Sequence, residues 1–295
     1  MTGPTARSPW LPTAPCTPGR CAAHPGPAAP RGGTGRAVLR LAAGLLVVLL
    51  GVLLAPPALL LPPDRRVFLV RLWCRTVLRA FGVRVRVTGA TAPAGVPLLV
   101  VANHVSWLDI PLIGAVLPGR MVAKREVRGW PVLGTVAALC GTLFIDRERI
   151  RSLPATVAAM TRALADGGRV VVFPEGSTWC GTTGGAFRRA AFQAALDSGS
   201  AVQPVRIAYR PAGPAAFVGE DTLGASLWRI ATARRIDAEI RVLDPMSGTR
   251  YPDRRALARA AQSTVASDSA NRPSSSVHQW ESVKPASASS VRTPS

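Results

Sequence analysis

The sequence predicts an α/β fold: a largely parallel sheet flanked by helices, with an N-terminal membrane-associated helical segment. Three observations predict it. Short apolar runs near 83–88, 97–102, 142–146, 169–173, 201–209 and 238–243 alternate with helix-like stretches. Polar turns rich in chemistry-bearing residues follow several of these runs, at the carboxyl ends where α/β sheets usually bind ligands. A charge-free segment, Leu41 to Pro63, precedes the first run.

Residues 1–36 are rich in Pro, Gly, Ala and Arg and contain no acid, the composition of a disordered basic arm. Residues 37–82 form the expected membrane-associated segment. Its apolar part, Leu41 to Ala55, would make a helix of about 22 Å, short of a hydrocarbon core of roughly 30 Å. Pro56-Pro57 would kink or end it. Two readings stand: one kinked transmembrane helix, or a segment that enters one leaflet and returns. A cleavable signal peptide is not expected, because the arm is long and no small-x-small site follows. Asp64 to Phe81 reads as a basic amphipathic helix, with Asp64 as N-cap, an Arg71/Arg75/Arg79 stripe, and Phe68, Leu69, Leu72, Trp73 and Leu78 as apolar surface. Such a helix lies in the headgroup plane, or packs on the core with its arginines solvated.

Lys and Arg total 36 against 16 acids, a formal charge of +20. That balance calls for a polyanionic partner. No helix-turn-helix, RNP-type or zinc-finger pattern is present, so anionic membrane lipid is expected rather than nucleic acid. The cysteines at 16, 21, 74, 140 and 180 show neither metal-ligand nor paired spacing. This scattered set fits a reducing compartment, and the Cys-x4-Cys pair in the arm is assigned no role. Residues 264–295 are Ser-, Ala- and Pro-rich and are expected to be a disordered tail.

The chemistry concentrates after the second run. Val101-Ala102-Asn103-His104-Val105-Ser106-Trp107-Leu108-Asp109 places a histidine and an aspartate at a strand end, and His24 and His278 lie in the low-complexity ends. Neutral imidazole can take a proton from an alcohol, and a carboxylate on its far nitrogen would fix the tautomer. This is triad logic without the serine. Five residues on a continuous helix correspond to about 500° of rotation, so a turn must intervene. Ser106 can N-cap a helix with Asp109 at N3. The plainer reading has Asp109 only capping and His104 only bonding backbone. Further on, Thr142 to Arg147 is a strand ending in Asp146-Arg147, and residues 169–178 run into Pro174-Glu175-Gly176. Arg147 is the natural phosphate ligand. Glu175 would repel phosphate and calls for a hydroxyl or an arginine. Gly176 permits close backbone approach or a positive φ. Pro204 should mark an edge strand or a bulge.

In this order, Asn-His-x4-Asp, Phe-Ile-Asp-Arg, Phe-Pro-Glu-Gly and a proline-bearing strand resemble the lysophospholipid acyltransferase family, over roughly residues 64 to 246. That family includes the 1-acylglycerol-3-phosphate acyltransferases. The resemblance implies a catalytic domain over 83–250 with His104 as general base and Asp109 as its orienter. Arg147, Glu175 and Gly176 would hold the acceptor. Lys124 and Pro131 match the segment between the first two motifs. The acceptor would be a lysophospholipid. The donor would be acyl-CoA or acyl carrier protein, used as co-substrate with no bound cofactor. Because both donors are cytosolic, the catalytic domain would face the cytoplasm at the cell membrane. The family often continues Phe-Pro-Glu-Gly-Thr-Arg, whereas this chain has Ser177-Thr178. Arg188 and Arg189 could replace the missing cation, or the acceptor could be a lyso-aminolipid. A hydrolase is the competing enzyme class, but Gly-x-Ser-x-Gly is absent. A noncatalytic lipid binder would not need the full His104, Asp109, Arg147 and Glu175 set.

Overall fold

The computed structural model describes residues 13–22, 33–90, 96–146 and 149–270. Helices α1 (Thr34–Ala58) and α2 (Pro63–Ala80) lead into β1 (Val83–Gly89) and β2 (Leu98–Ala102). Then come α3 (Asp109–Val116), β3 (Arg120–Lys124), α4 (Leu133–Leu139), β4 (Leu143–Ile145), α5 (Leu153–Ala165) and β5 (Arg169–Val172). The chain closes with α6 (Ala190–Ser198), β6 (Ala201–Arg210), α7 (Ala212–Ala215), α8 (Leu223–Thr232), β7 (Ile236–Val242) and α9 (Arg254–Ala270). The seven strands form one sheet in the order β1-β7-β6-β2-β5-β3-β4. Only the β6–β7 pairing is antiparallel, so the sheet is largely parallel as expected.

The centre of the sheet is β2, whose five residues are all buried. Helices cover both of its faces, which is why the run 98–102 is apolar without alternation. Successive side chains go to opposite layers. Val100 and Ala102 join α2, α3 and α8 in one core. Leu99 and Val101 join Met160, Phe192 and Leu257, from α5, α6 and α9, in the other.

The structure adds one strand and moves another. β3 carries three apolar residues between two cations, too little for a periodic signal. Pro204 lies not on an edge but in β6, between β7 and β2. Its carbonyl accepts from Leu243 N–H at 3.1 Å, one residue past the end of β7. The β6–β7 ladder starts at Val205, so the donor that the proline ring lacks falls where the ladder has not yet begun.

Boundaries also differ from those the composition suggests. Helix α9 runs through 264–270, and Val265 is buried; packed structure therefore continues past 250 and into the segment expected to be a disordered tail. Residues 18–22, within the arm, form a helical turn beside α7. Helix α1 starts at Thr34 and ends one residue after Pro57. It lies against the domain. A Cβ on Gly44 would sit 2.5 Å from the Phe81 ring, and one on Gly51 would meet Trp73. Trp73 Nε1–H donates to Val47 O at 2.9 Å, and Arg40 donates to Ala231 O at 3.1 Å. The other side of α1 presents Leu39, Leu46, Leu50 and Leu53 outward.

Candidate active site

His104 and Asp109 meet through the turn that the spacing requires. Asn103 ends β2 by pairing with β6 as a backbone would. Its Nδ2 donates to Ile207 O at 2.9 Å, and its Oδ1 accepts from Ile207 N–H at 2.8 Å. The chain then turns, and Asp109 opens α3. Asp109 Oδ2 accepts from His104 Nδ1 at 2.8 Å, Val105 N–H at 2.7 Å and Ser106 N–H at 2.9 Å. Ser106 is not the N-cap of α3: that position is Leu108, and Asp109 is the first helical residue. The Asp109 carboxylate therefore ties the preceding turn together instead of completing a capping box. Asp109 Oδ1 accepts from the Tyr209 hydroxyl at 2.6 Å. Burial first, then the Asp109 charge and hydrogen bond, hold the Tyr209 phenol well above its ordinary range, so it stays a donor.

A carboxylate oxygen can only accept, so the neutral ring carries its proton on Nδ1 and leaves the Nε2 lone pair free. The imidazole stacks on Phe173, centroids 4.0 Å apart and planes 14° apart, with 18% of its side chain exposed. The site is thus a base oriented by a fully buried carboxylate and open on one nitrogen.

Glu175 lies beneath this turn. Its Oε2 accepts from His104 N–H at 2.8 Å, and its Oε1 accepts from Gly185 N–H at 3.0 Å. Two backbone amides bond its oxygens, and the Arg206 charge acts on the carboxylate as well. Burial outweighs these bonds and raises its pKa from the ordinary 4.5 to about 7. Gly176 adopts φ +76°, as the turn demands, and its N–H donates to Phe173 O. His104 O accepts from Trp179 N–H at 2.7 Å. Both backbone groups of His104 are therefore tied to the loop after β5.

The remaining expected residues line the same carboxyl edge at varying distance. Lys124 ends β3, exposed, with Nζ 5.6 Å from the Trp130 ring centre. Pro131 is exposed beside it. Arg188 is exposed, and its N–H donates to Pro174 O at 2.8 Å. Arg147 lies outside the described residues, directly after Asp146, which pairs with Arg125 at 3.3 Å. Asp146, Arg125, Arg128, Phe144 and Ser152 line an open groove of about 370 Å³. Sequence reasoning did not single out Tyr209 or the clamping role of Asn103. Alternation along β6 put Tyr209 on the buried face with Val205 and Ile207, and a lone hydroxyl there was the available signal. Ser177 Oγ and Trp179 Nε1 are also buried donors without a hydrogen-bond partner, both in the loop that carries Glu175.

Comparison with known proteins agrees with this geometry. The sequence profile of the family described as Acyltransferase matches residues 84–208. A lyso-ornithine lipid O-acyltransferase of Pseudomonas aeruginosa is 40% identical over 201 residues, covering 67% of this chain and 76% of that protein. A 1-acyl-sn-glycerol-3-phosphate acyltransferase of Neisseria meningitidis is 37% identical over 193 residues, covering 62% and 73%. The crystal structure of the 1-acyl-sn-glycerophosphate (LPA) acyltransferase PlsC from Thermotoga maritima shares the fold, with TM-score 0.59 at 20% identity over 80% of this chain and 99% of that one. The chain belongs to this acyltransferase family; it is an enzyme that transfers acyl groups.

Proposed function

We propose that the chain is a membrane-associated O-acyltransferase acting on the free hydroxyl of a lysolipid, with 1-acyl-sn-glycerol-3-phosphate as acceptor and phosphatidic acid as product. The observation that carries the reading is the His104–Asp109 bond with Nε2 left free. Nε2 takes the hydroxyl proton as the acceptor oxygen attacks the acyl thioester carbonyl. The imidazolium that forms is stabilised by Asp109. The tetrahedral adduct collapses, the C–S bond breaks, and the thiolate leaves with the proton returned from His104. In this reading the acceptor oxygen attacks the thioester directly, with no acyl-enzyme step. The thioester belongs to CoA or acyl carrier protein. Arg125 and Arg128, which line the groove, together with Lys124 at the end of β3 and Arg147, the residue after Asp146 in the sequence, supply cations for the acceptor phosphate. Glu175 and Gly176 hold the backbone of the base and of its loop. Arg188 stands at the loop's far end.

A lyso-ornithine lipid acceptor is the second reading. It is favoured by the Pseudomonas relative and by Thr178, which stands where the family often has arginine. Purified full-length protein with acyl-CoA and each acceptor decides the matter by lipid mass spectrometry. Acyl transfer to the glycerol phosphate acceptor is expected. Transfer to the lyso-aminolipid alone would move the assignment, and fatty acid release without acceptor would mean hydrolysis. His104→Ala should lower turnover by about 10²- to 10⁴-fold, measured below the unfolding transition of the variant.

Helices α1 and α2 are the membrane-facing part of this reading. Helix α1 is long and apolar enough to span, and mostly unburied. Its contacts with Phe81, Trp73 and α8 favour insertion into one leaflet beside the domain. The exposed line Arg65, Phe68, Leu72, Arg75, Arg79 on α2 suits a helix lying in the headgroup plane. A cytosolic donor, CoA or acyl carrier protein, calls for a catalytic domain on the cytoplasmic side.

A further inference from the structure

The helical turn in the arm brings two cysteines to a third. Cys16 and Cys21 stand with Cys180 so that all three Sγ atoms lie within 4.8 Å of one another. Cys16 and Cys180 are buried, Cys21 is half-buried, and all are free thiols. Cys180 belongs to the loop between Glu175 and Gly185, the loop that fixes both backbone groups of His104. We propose that Cys16, Cys21 and Cys180 bind one zinc-type divalent cation, which staples the N-terminal arm to the active-site loop.

Three features carry this. The first is the donor set. Thiolates are the preferred ligands of soft d¹⁰ cations, with Zn–S near 2.3 Å, so sulfurs on one tetrahedral ion stand about 3.8 Å apart. Sulfurs already within 4.8 Å need only a small contraction. Each thiol that binds releases its proton, so the site gains charge balance with the ion. Two near ligands on one turn and a third from a distant loop is a common layout for structural sites of this kind. The second is the arm itself. Residues 13–22 bring few apolar side chains to the domain, and the sequence around them is rich in Pro and Gly. Cys21 N–H bonds Thr17 O, and Cys16 O lies against Gly219, where a Cβ would come within 2.9 Å. A Pro-rich peptide with so little to bury lacks the means to order itself, whereas coordination couples order to binding. The third is fit. Gly181 takes φ +86°, and a Cβ there would stand 3.5 Å from Val105, two residues before Trp107. The loop is therefore packed directly against the histidine turn, and fixing Cys180 fixes it.

The three cysteines leave one tetrahedral position for a lighter donor, so X-ray absorption should report three sulfurs and one oxygen or nitrogen. The test is metal analysis of the full-length protein, purified in detergent without chelator. About one zinc per chain is expected. Cys16→Ser, Cys21→Ser and Cys180→Ser should each fall at least tenfold in zinc content, and Cys140→Ser should keep it. Loading with cobalt(II) should give a thiolate charge-transfer band that the three variants lose. Tryptic cleavage after the exposed Arg20 should speed up when zinc is stripped, a readout independent of activity. The variants at 16 and 21 lie outside the sheet, so loss of metal in them cannot be charged to a collapsed core. Wild-type protein that takes up no metal even with added zinc overturns the proposal. So does zinc retained by all three variants, or thiol titration that finds a disulfide among them.

Discussion

Four donors converge on one carboxyl group: three on Asp109 Oδ2 and the Tyr209 hydroxyl on Oδ1. A fully buried carboxylate is tolerable only when satisfied in this way. Tyr209→Phe keeps the ring and removes one donor. It should cost about 1–3 kcal/mol of stability, the usual penalty for a buried group left unpaired, read as a lower urea midpoint. Turnover should fall less than in His104→Ala, because Nδ1 keeps its partner. Glu175 carries a pH signature. Its folded pKa is raised to about 7 from 4.5, chiefly by burial, so the folded state holds the proton more tightly than the unfolded one. Stability should therefore fall as pH rises from about 4.5 to about 7, by up to about 3 kcal/mol at 1.36 kcal/mol per unit, and level off above. Glu175→Gln should flatten that slope in denaturation curves taken across this range. The His104–Asp109 pairing was legible in the sequence only through its companion motifs, because the spacing alone also fits a capping aspartate and a backbone-bonded histidine. The partners of Glu175 were not, because backbone amides leave no mark in the letters.

At the level of elements, β2 and β6 are joined beyond their ladder by the two-way amide contact of Asn103. Asn103→Ala deletes two hydrogen bonds and leaves Ile207 N–H and C=O unpaired at a partly buried site. A loss of about 2–3 kcal/mol is expected. Turnover should drop as well, since His104 is the next residue; calorimetry and kinetics on one preparation check both. Strands with clear apolar runs were readable to within a residue or two. The exceptions have physical reasons. β3 depends on its neighbours β4 and β5 for pairing, not on its own pattern. Pro204 was misplaced because a proline is excluded only where its missing N–H would be bonded, which is a property of register. The sequence places the N-cap of α3 at Ser106, whereas the helix starts two residues later, after Leu108; Asp109 bonds the turn backbone from the first helical position.

Across the molecule, the apolar N-terminal helices and the histidine turn are in contact. Phe81, at the end of α2, touches Gly44 of α1 and meets Trp107 edge-on, centroids 5.2 Å apart. Trp107 Nε1–H in turn donates to Ser226 in α8 at 3.2 Å. The Phe81–Trp107 pair thus links α1 and α2 to the turn that carries His104. The chain carries +20, and each cation near an anionic surface contributes about 1 kcal/mol. Replacing Arg65, Arg75 and Arg79 by Gln should weaken sedimentation with anionic vesicles by about 100-fold and lessen its salt dependence. Zwitterionic vesicles should show little difference. The charge was legible from composition; which face of α2 carries it was not, because both faces hold apolar residues and only the folded packing chooses.

The turn from Asn103 to Asp109 is buckled at both ends onto a single strand: its first side chain grips Ile207, and its last is gripped by Tyr209. Its residue count is therefore locked. A side chain inside it can be exchanged, but adding or deleting one residue would put either the amide or the carboxylate out of reach of its catch and swing the imidazole with it. Variation in length is open to this protein in its ends and outer loops, and closed in these seven positions.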